Sequence, residues 1–411
     1  MKLLFSVTVL STLVLLGLAL PLQHEERSAL GRPLRFAKDG TFQISIFEDL
    51  HYGENAWESW GPQQDIWSNY VINQVLDAES QQLVVLNGDL ITGENTYLEN
   101  STDYLDEIVA PFVQRDLSWA STYGNHDSDY NLSRSNILAH ERRYHNARTT
   151  QMVFGREAGV SNYYLPIYPH KKSSTPSLLL WFFDSRGGFY YQEQNATGDR
   201  VGQPDWVDQS VVDWFTATNQ ELTDEHGGPI PSLAFVHIPT YASQVLQTEA
   251  KVKKHYQPGI NDDYPLAPQA QGWCADGAND GSCEYGGQDG AFMEAIASTP
   301  GMMALFSGHD HGDTWCYKWE TQLPGMTVAG NGVNLCFGQH SGYGGYGTWT
   351  RGSRQVLIRE EMINDIDNLA VETWIRLENQ KVVGSVTLNS TYGQDRYPAT
   401  KNTHTECPTC E

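Results

Sequence analysis

Apolar residues along this chain gather in short runs, and each of several runs ends on a polar, glycine-bearing segment. Phe42 to Phe47 alternates apolar and polar positions as a half-buried strand does, and Glu48 and Asp49 follow at once. Leu83 to Leu86 leads into Asn87, Gly88 and Asp89; Leu117 to Tyr123 leads, less cleanly, into Gly124 and Asn125. Leu233 to Val236 precedes His237, and Met302 to Phe306 precedes Ser307, Gly308 and His309. Helix candidates between them are Gln64 to Ser80, Thr102 to Val113, Asn131 to His145, Gln209 to Phe215 and Asp289 to Ser298. Strand patterns return at Val356 to Arg359 and Glu372 to Leu377. Strands that alternate with helices and then continue alone predict an α/β (α+β) fold, with two packed sheets flanked by helices.

The polar segments carry the chemistry. Open sheets place ligands at the carboxyl ends of their strands, so five such clusters predict one shared crevice. The segments are Asp49-Leu50-His51, Gly88-Asp89, Gly124-Asn125-His126-Asp127, His237 and Gly308-His309-Asp310-His311. A single D-x-H or H-x-H triplet arises by chance, and a lone histidine is more often a packed residue than a ligand. The ordered series points to a two-metal hydrolytic site. In an extended segment residues two apart share a side, so Asp49 with His51, and His309 with His311, are expected to enter one cavity together. The Asp89 carboxylate has two oxygens with which to bridge two cations. Metal pairs roughly 3.5 to 4 Å apart activate water and clamp the attacking and leaving oxygens of an in-line displacement. Mixed imidazole and carboxylate donors suit zinc, iron or manganese better than calcium. Gly88, Gly124 and Gly308 are expected at sharp turns, often at positive φ.

These five segments, read as D-x-H, G-D, G-N-H-[DE], a distant H and G-H-x-H, resemble the calcineurin-like metallophosphoesterases. The likeness extends to their secreted fungal and plant purple-acid-phosphatase-like branch through Ile46-Phe47-Glu48-Asp49-Leu50-His51 and Phe306-Ser307-Gly308-His309-Asp310-His311-Gly312, and runs from about Phe42 to Leu377. The resemblance implies a four-layer αββα sandwich of two mixed sheets flanked by helices. It implies that Asp49, His51 and His311 hold one metal ion, that Asn125, His237 and His309 hold another, and that Asp89 bridges them. His126 is then the catalytic group, as acid or phosphate contact. Thr92 stands where purple enzymes carry a tyrosine, so the centre is expected to be colourless. Some relatives place an aspartate there to steady the catalytic histidine; Asp127 or another acid is left for that task. The implied activity is hydrolysis of phosphate monoesters by in-line attack of a hydroxide bridging the metals. The alternatives are a phosphodiesterase acting on nucleotides or lipid head groups and, more remotely, a secreted metal-bearing binding protein.

The formal net charge of -24 repels phosphate at long range. Locally the sign reverses: two carboxylates, two divalent cations and one hydroxide leave the centre near +1, by adding the formal charges. No Lys/Arg-rich stripe exists to neutralise a nucleic-acid backbone. Lys171-Lys172 and the group Lys251, Lys253, Lys254 read as solvated loop charges. The expected partner is a small phosphate ester, with no nucleic acid and no stable membrane association.

Lys2 and the apolar run Leu3 to Leu20 have the layout of a cleavable export signal. The expected organisation is a signal at residues 1–20, a lead segment at 21–40, one phosphoesterase domain at 41–399 and a tail at 400–411. Asn100, Asn131, Asn195 and Asn389 begin glycan acceptor triplets. Secretion is expected, with a vacuole as the other destination. An even six cysteines favour disulfides, with Cys274–Cys283, Cys316–Cys336 and Cys407–Cys410 the shortest pairings. The Pro- and Gly-rich segment Thr240 to Gly287 is too long for an ordinary connection and is expected to cover part of the crevice. Cys336 to Tyr346, with His340, is either a pocket wall or a turn-rich surface loop. Trp315 and Trp319 are expected in packing. His24, His140, His145, His170, His226, His255 and His404 are expected to be ordinary surface or loop residues.

Overall fold

A computed structural model describes residues 32–405. The segment expected to be an export signal, His24 and the expected Cys407–Cys410 pairing lie outside the described residues. Two sheets form the centre. The first has seven strands in the order Leu34–Arg35, Tyr163–Tyr168, Leu178–Phe183, Ser232–Val236, Met302–Ser307, Val333–Phe337 and Cys316–Trp319. Its middle four strands run parallel. The second has six, in the order Val382–Leu388, Val371–Leu377, Gly352–Arg359, Thr41–Phe47, Leu83–Asn87 and Ser118–Thr122, of which the last three are parallel.

The period of two along each strand decides the layers. Leu83 and Val85 face inward to a core shared with Phe182, Phe235 and Phe306 of the other sheet, while Val84 and Leu86 face outward onto Ile72, Val75 and Ile108. These last residues belong to the helices Gly61–Ala78 and Tyr104–Gln114. On the opposite face Trp181 and Phe183 pack against Val211 and Phe215 of helix Gln209–His226 and Phe292 of helix Gly290–Ser298. Helix, sheet, sheet, helix is the αββα sandwich.

Several local expectations are revised. The candidate Asn131 to His145 shortens to helix Arg134–Glu141, because the Ser133 side chain accepts from Asn136 N–H and fixes the start. The candidate Gln209 to Phe215 runs on to His226 and stops at Gly227, whose φ of 79° is left-handed. His140 is buried, not a surface residue, with Nε2 2.5 Å from Asp106 Oδ1. Trp315 and Trp319 are core residues. Disulfides join Cys274 to Cys283 and Cys316 to Cys336. Segment Thr240 to Gly287 contains helix Tyr241–Val245 and a π-helical turn, and docks on the loop after Ser307 through Ala267 N–H to Asp310 Oδ1 and Asp262 N–H to Gly312 O.

Candidate active site

Every segment singled out by sequence follows a parallel strand, and the two sheets bring those strand ends to one place. Two groups of donors result: Asp49, His51 and His311, and Asp89, His237 and His309, each with its ligating atoms within 4.8 Å of one another. Asp89 links them. Its Oδ2 lies 2.9 Å from His237 Nε2 and 3.8 Å from His51 Nε2, and its Oδ1 accepts from the His126 backbone N–H at 2.8 Å. Asp49 Oδ1 lies 3.7 Å from His311 Nε2 and 3.8 Å from His237 Nε2. Asn125 stands beside this group, packed on Gly187, with its buried Oδ1 lacking a hydrogen-bond partner.

The backbone geometry departs from the expected extended triplets. Asp49, His51, Asp89 and His309 have φ of 53°, 49°, 49° and 76°, all left-handed. Such residues cost about 1–3 kcal/mol each and persist only when the surroundings over-determine them. Here the loops lock together: Asp49 N–H donates to Gly88 O, both Leu50 and His51 N–H donate to Asp89 O, and His309 N–H donates to Asp49 Oδ1. Of the three glycines only Gly88 has positive φ. Gly124 and Gly308 are set by crowding instead: a Cβ on Gly124 would lie 2.2 Å from Asp89 Oδ1, and one on Gly308 3.1 Å from Asp49 Oδ2.

Hydrogen bonds fix which imidazole nitrogen faces the cluster. His237 Nδ1 donates to Asn87 O at 2.8 Å and His311 Nδ1 to Tyr346 O at 2.8 Å, since a carbonyl only accepts. Thr92 hydroxyl donates to Glu54 Oε2 and therefore accepts from His51 Nδ1 at 3.0 Å. All three rings present Nε2 inward, and the Nε2 atoms of His51 and His311 come within 3.3 Å. Two lone pairs converging so closely, beside a buried Asp49 Oδ2 with no partner, fit a cation. The electrostatics agree. Burial, then neighbouring imidazoles, holds His311 well below its ordinary range and lowers His309 to about 3, leaving them neutral donors. Burial also opposes charge on His237, but Asp89 and Asp49 outweigh it and push its pKa up to about 10, so a positive charge is favoured between those carboxylates. Asp49 itself is raised to about 7 by burial, which is the cost of holding an anion there without a counter-charge.

His126 stands at the mouth, partly exposed, with Nδ1 2.5 Å from Glu94 Oε1. Burial opposes its charge, but Asp89 and Glu94 raise its pKa to about 10. Glu94, from the turn Gly93–Asn95, was not among the residues singled out by sequence. Asp127 is committed elsewhere: its oxygens accept from the N–H groups of Leu90, Ile91 and Gly124. Of the two readings of Cys336 to Tyr346, a wall beside the site accords with the packing, since the segment lies against His51 and His311. Ser341 and Gly342 N–H donate to Glu48 and Asp49 carbonyls, and the buried His340 and the Tyr346 ring pack against His311 at 3.9 and 4.0 Å. Of the glycan acceptors, Asn195 is exposed, whereas Asn100, Asn131 and Asn389 are partly buried and Asn131 Nδ2 donates to Thr96 O.

The sequence profile of the calcineurin-like phosphoesterase family matches residues 49–313. The chain is 27% identical over 398 residues to probable inactive purple acid phosphatase 29 of Arabidopsis thaliana, covering 89% of this chain and 90% of that protein. It is 26% identical to phosphatase DCR2 of Saccharomyces cerevisiae, covering 84% of this chain and 55% of that one. A dimetal phosphatase of Danio rerio superposes with a TM-score of 0.49 at 15% identity, covering 85% of this chain and 98% of that chain.

Proposed function

Because the chain belongs to the calcineurin-like phosphoesterase family, we propose that it is an exported phosphatase that hydrolyses small phosphate monoesters with two metal ions. Asp49, His51 and His311 would hold one ion, Asn125, His237 and His309 the other, and Asp89 both. Zinc, iron and manganese suit these donors. The single observation that carries the proposal is the placement of Asp89, which touches both donor groups with one oxygen and the backbone of His126 with the other. When bound, a metal pair activates water and neutralises charge on the phosphoryl oxygens. The chain's own groups do the rest. Glu94 engages His126 Nδ1, which leaves Nε2 to give a proton to the leaving oxygen. Glu54 steadies His51 through Thr92 and also accepts from Asn95 Nδ2 and Gly345 N–H. Among the described residues the two donor groups are carboxylates and imidazoles, and the proposed direct transfer to water needs no phosphoenzyme.

Rates on p-nitrophenyl phosphate and on its bis ester test the substrate class. A higher kcat/KM on the monoester is expected; strong preference for the bis ester would replace the proposal by a phosphodiesterase acting on nucleotides or lipid head groups. The word inactive in the Arabidopsis relative's name keeps a second reading, a metal-bearing binding protein, in play. Protein that carries two metal ions per chain and hydrolyses neither ester would establish it. Two disulfides suit an oxidising compartment, outside the cell or in a vacuole. Among the described residues no helix is long and apolar enough to cross a membrane. Glycans are proposed at the four acceptor asparagines, with the exposed Asn195 the most accessible.

A further inference from the structure

A half-open cleft of about 540 Å³ lies at the end of the sandwich remote from the metal ligands, and four cations line it: Arg32, Arg35, Arg148 and Lys172. Topology places it there. His237 and His309 follow the carboxyl ends of their strands. Leu34–Arg35 instead pairs with Ile167 and Tyr168, and Ile167 faces Leu178, at the start of the neighbouring strand. A strand of this length separates the two ends by roughly 20 Å.

Carboxylates outnumber cations 50 to 26 in this chain, yet none is among the described residues lining the cleft. The ion pairs of the described residues use other arginines and lysines. Arg148 is the most telling of the four. It is 7% exposed, its Nε and Nη2 both donate to Ser118 Oγ, at 3.1 and 3.0 Å, and among the described residues no carboxylate forms an ion pair with it. A buried guanidinium ordinarily has an anionic partner. Burial alone pulls Arg148 below its usual range, a cost that a bound anion would relieve. Arg35 is held over the Tyr168 ring at 5.1 Å and donates to Pro169 O. Between these charges the lining carries Pro33, Leu34, Pro166 and Tyr168, with Ser173 and Ser174 beside Lys172.

We propose that this cleft binds an anionic amphiphile, a carboxylate or phosphate head group on an aliphatic chain, with the head against Arg148 and its neighbouring cations and the chain along Pro33, Leu34 and Tyr168. Neither half suffices alone. A bare anion meets the repulsion of a chain at -24 and leaves the apolar lining wet, while a neutral chain leaves the guanidinium unpaired.

The probe is decanoate below its micelle concentration, titrated calorimetrically into the full chain, with acetate as the head group alone. Vesicles of phosphatidylcholine with and without phosphatidylserine form the second arm. Decanoate is expected to bind, acetate is not, and Arg148→Gln and Lys172→Glu should each weaken binding about tenfold, as loss of a charge-assisted contact does. Hydrolysis of p-nitrophenyl phosphate should stay unchanged in both. Retention on the phosphatidylserine vesicles, lost in the same variants, would place the head group in a bilayer; decanoate binding without vesicle retention would make the ligand a free monomer. Failure of both arms overturns the proposal, and so does binding that neither variant weakens. Lys172 is exposed, so Lys172→Glu decides the matter if Arg148→Gln does not fold.

Discussion

His126 and Glu94 form a pair whose parts come from different loops, and the pair separates catalysis from metal binding. Replacing His126 by Ala should lower turnover by about a hundredfold or more, the usual worth of a positioned acid, while metal content stays intact. Glu94→Gln should cost less, about tenfold, and fall on kcat more than on KM, because the ring loses its orientation and not its presence. Metal analysis beside steady-state kinetics checks both; loss of metal in either variant would put His126 among the ligands. Gly124→Ala should behave oppositely, since its Cβ would meet Asp89 Oδ1 at 2.2 Å, and should lower metal content together with activity. The ligands were legible in the sequence because their types and order carry the chemistry. Glu94 was not, since nothing local distinguishes it from Glu54 or Glu99 until the turn Gly93–Asn95 brings it to His126. Nor was the backbone: the left-handed φ of Asp49, His51, Asp89 and His309 is imposed by hydrogen bonds between loops distant in sequence.

Elements show the same division. Strands that end on ligands are legible from their apolar runs, but Leu178–Phe183 is not: Leu-Leu-Leu-Trp-Phe-Phe has no alternation, and a run buried on both faces cannot be assigned by period. The apolar pattern of the helix from Gln209 ends at Phe215 because no later residue in it is buried. Its end depends on Gly227, a left-handed position with open space around it. Gly227→Ala should therefore destabilise the fold by about 1 kcal/mol through backbone strain alone. A lower urea midpoint with unchanged hydrolysis is the expected result. An unchanged midpoint would mean that this helix end contributes nothing to the measured stability.

At the scale of the whole molecule, acidity sets the stability window. Burial pushes Asp65 and Asp205 up to about 7 and Asp289 up to about 6. A carboxylate whose folded pKa exceeds its unfolded value binds more protons in the native state, so stability falls as pH rises through the interval between them, from about 4 to 7. Histidine ligands release metal at the acidic end, which confines the useful comparison to pH 6 and above. The Tm should drop between pH 6 and 7 and level off above, and Asp205→Asn should flatten that slope; a Tm rising over the interval would contradict the sign. The strand order of the two sheets is a property of this scale and was not legible in the sequence; the closing of two donor groups around Asp89 was legible, because strand-end clusters share one crevice and a carboxylate has two oxygens.

Anomalous difference density from crystals soaked in manganese or zinc tests the dinuclear centre most directly. Two peaks about 3.5 to 4 Å apart are predicted, one beside Asp49, His51 and His311 and one beside Asn125, His237 and His309, with Asp89 between them. A single peak, or peaks remote from Asp89, would contradict it.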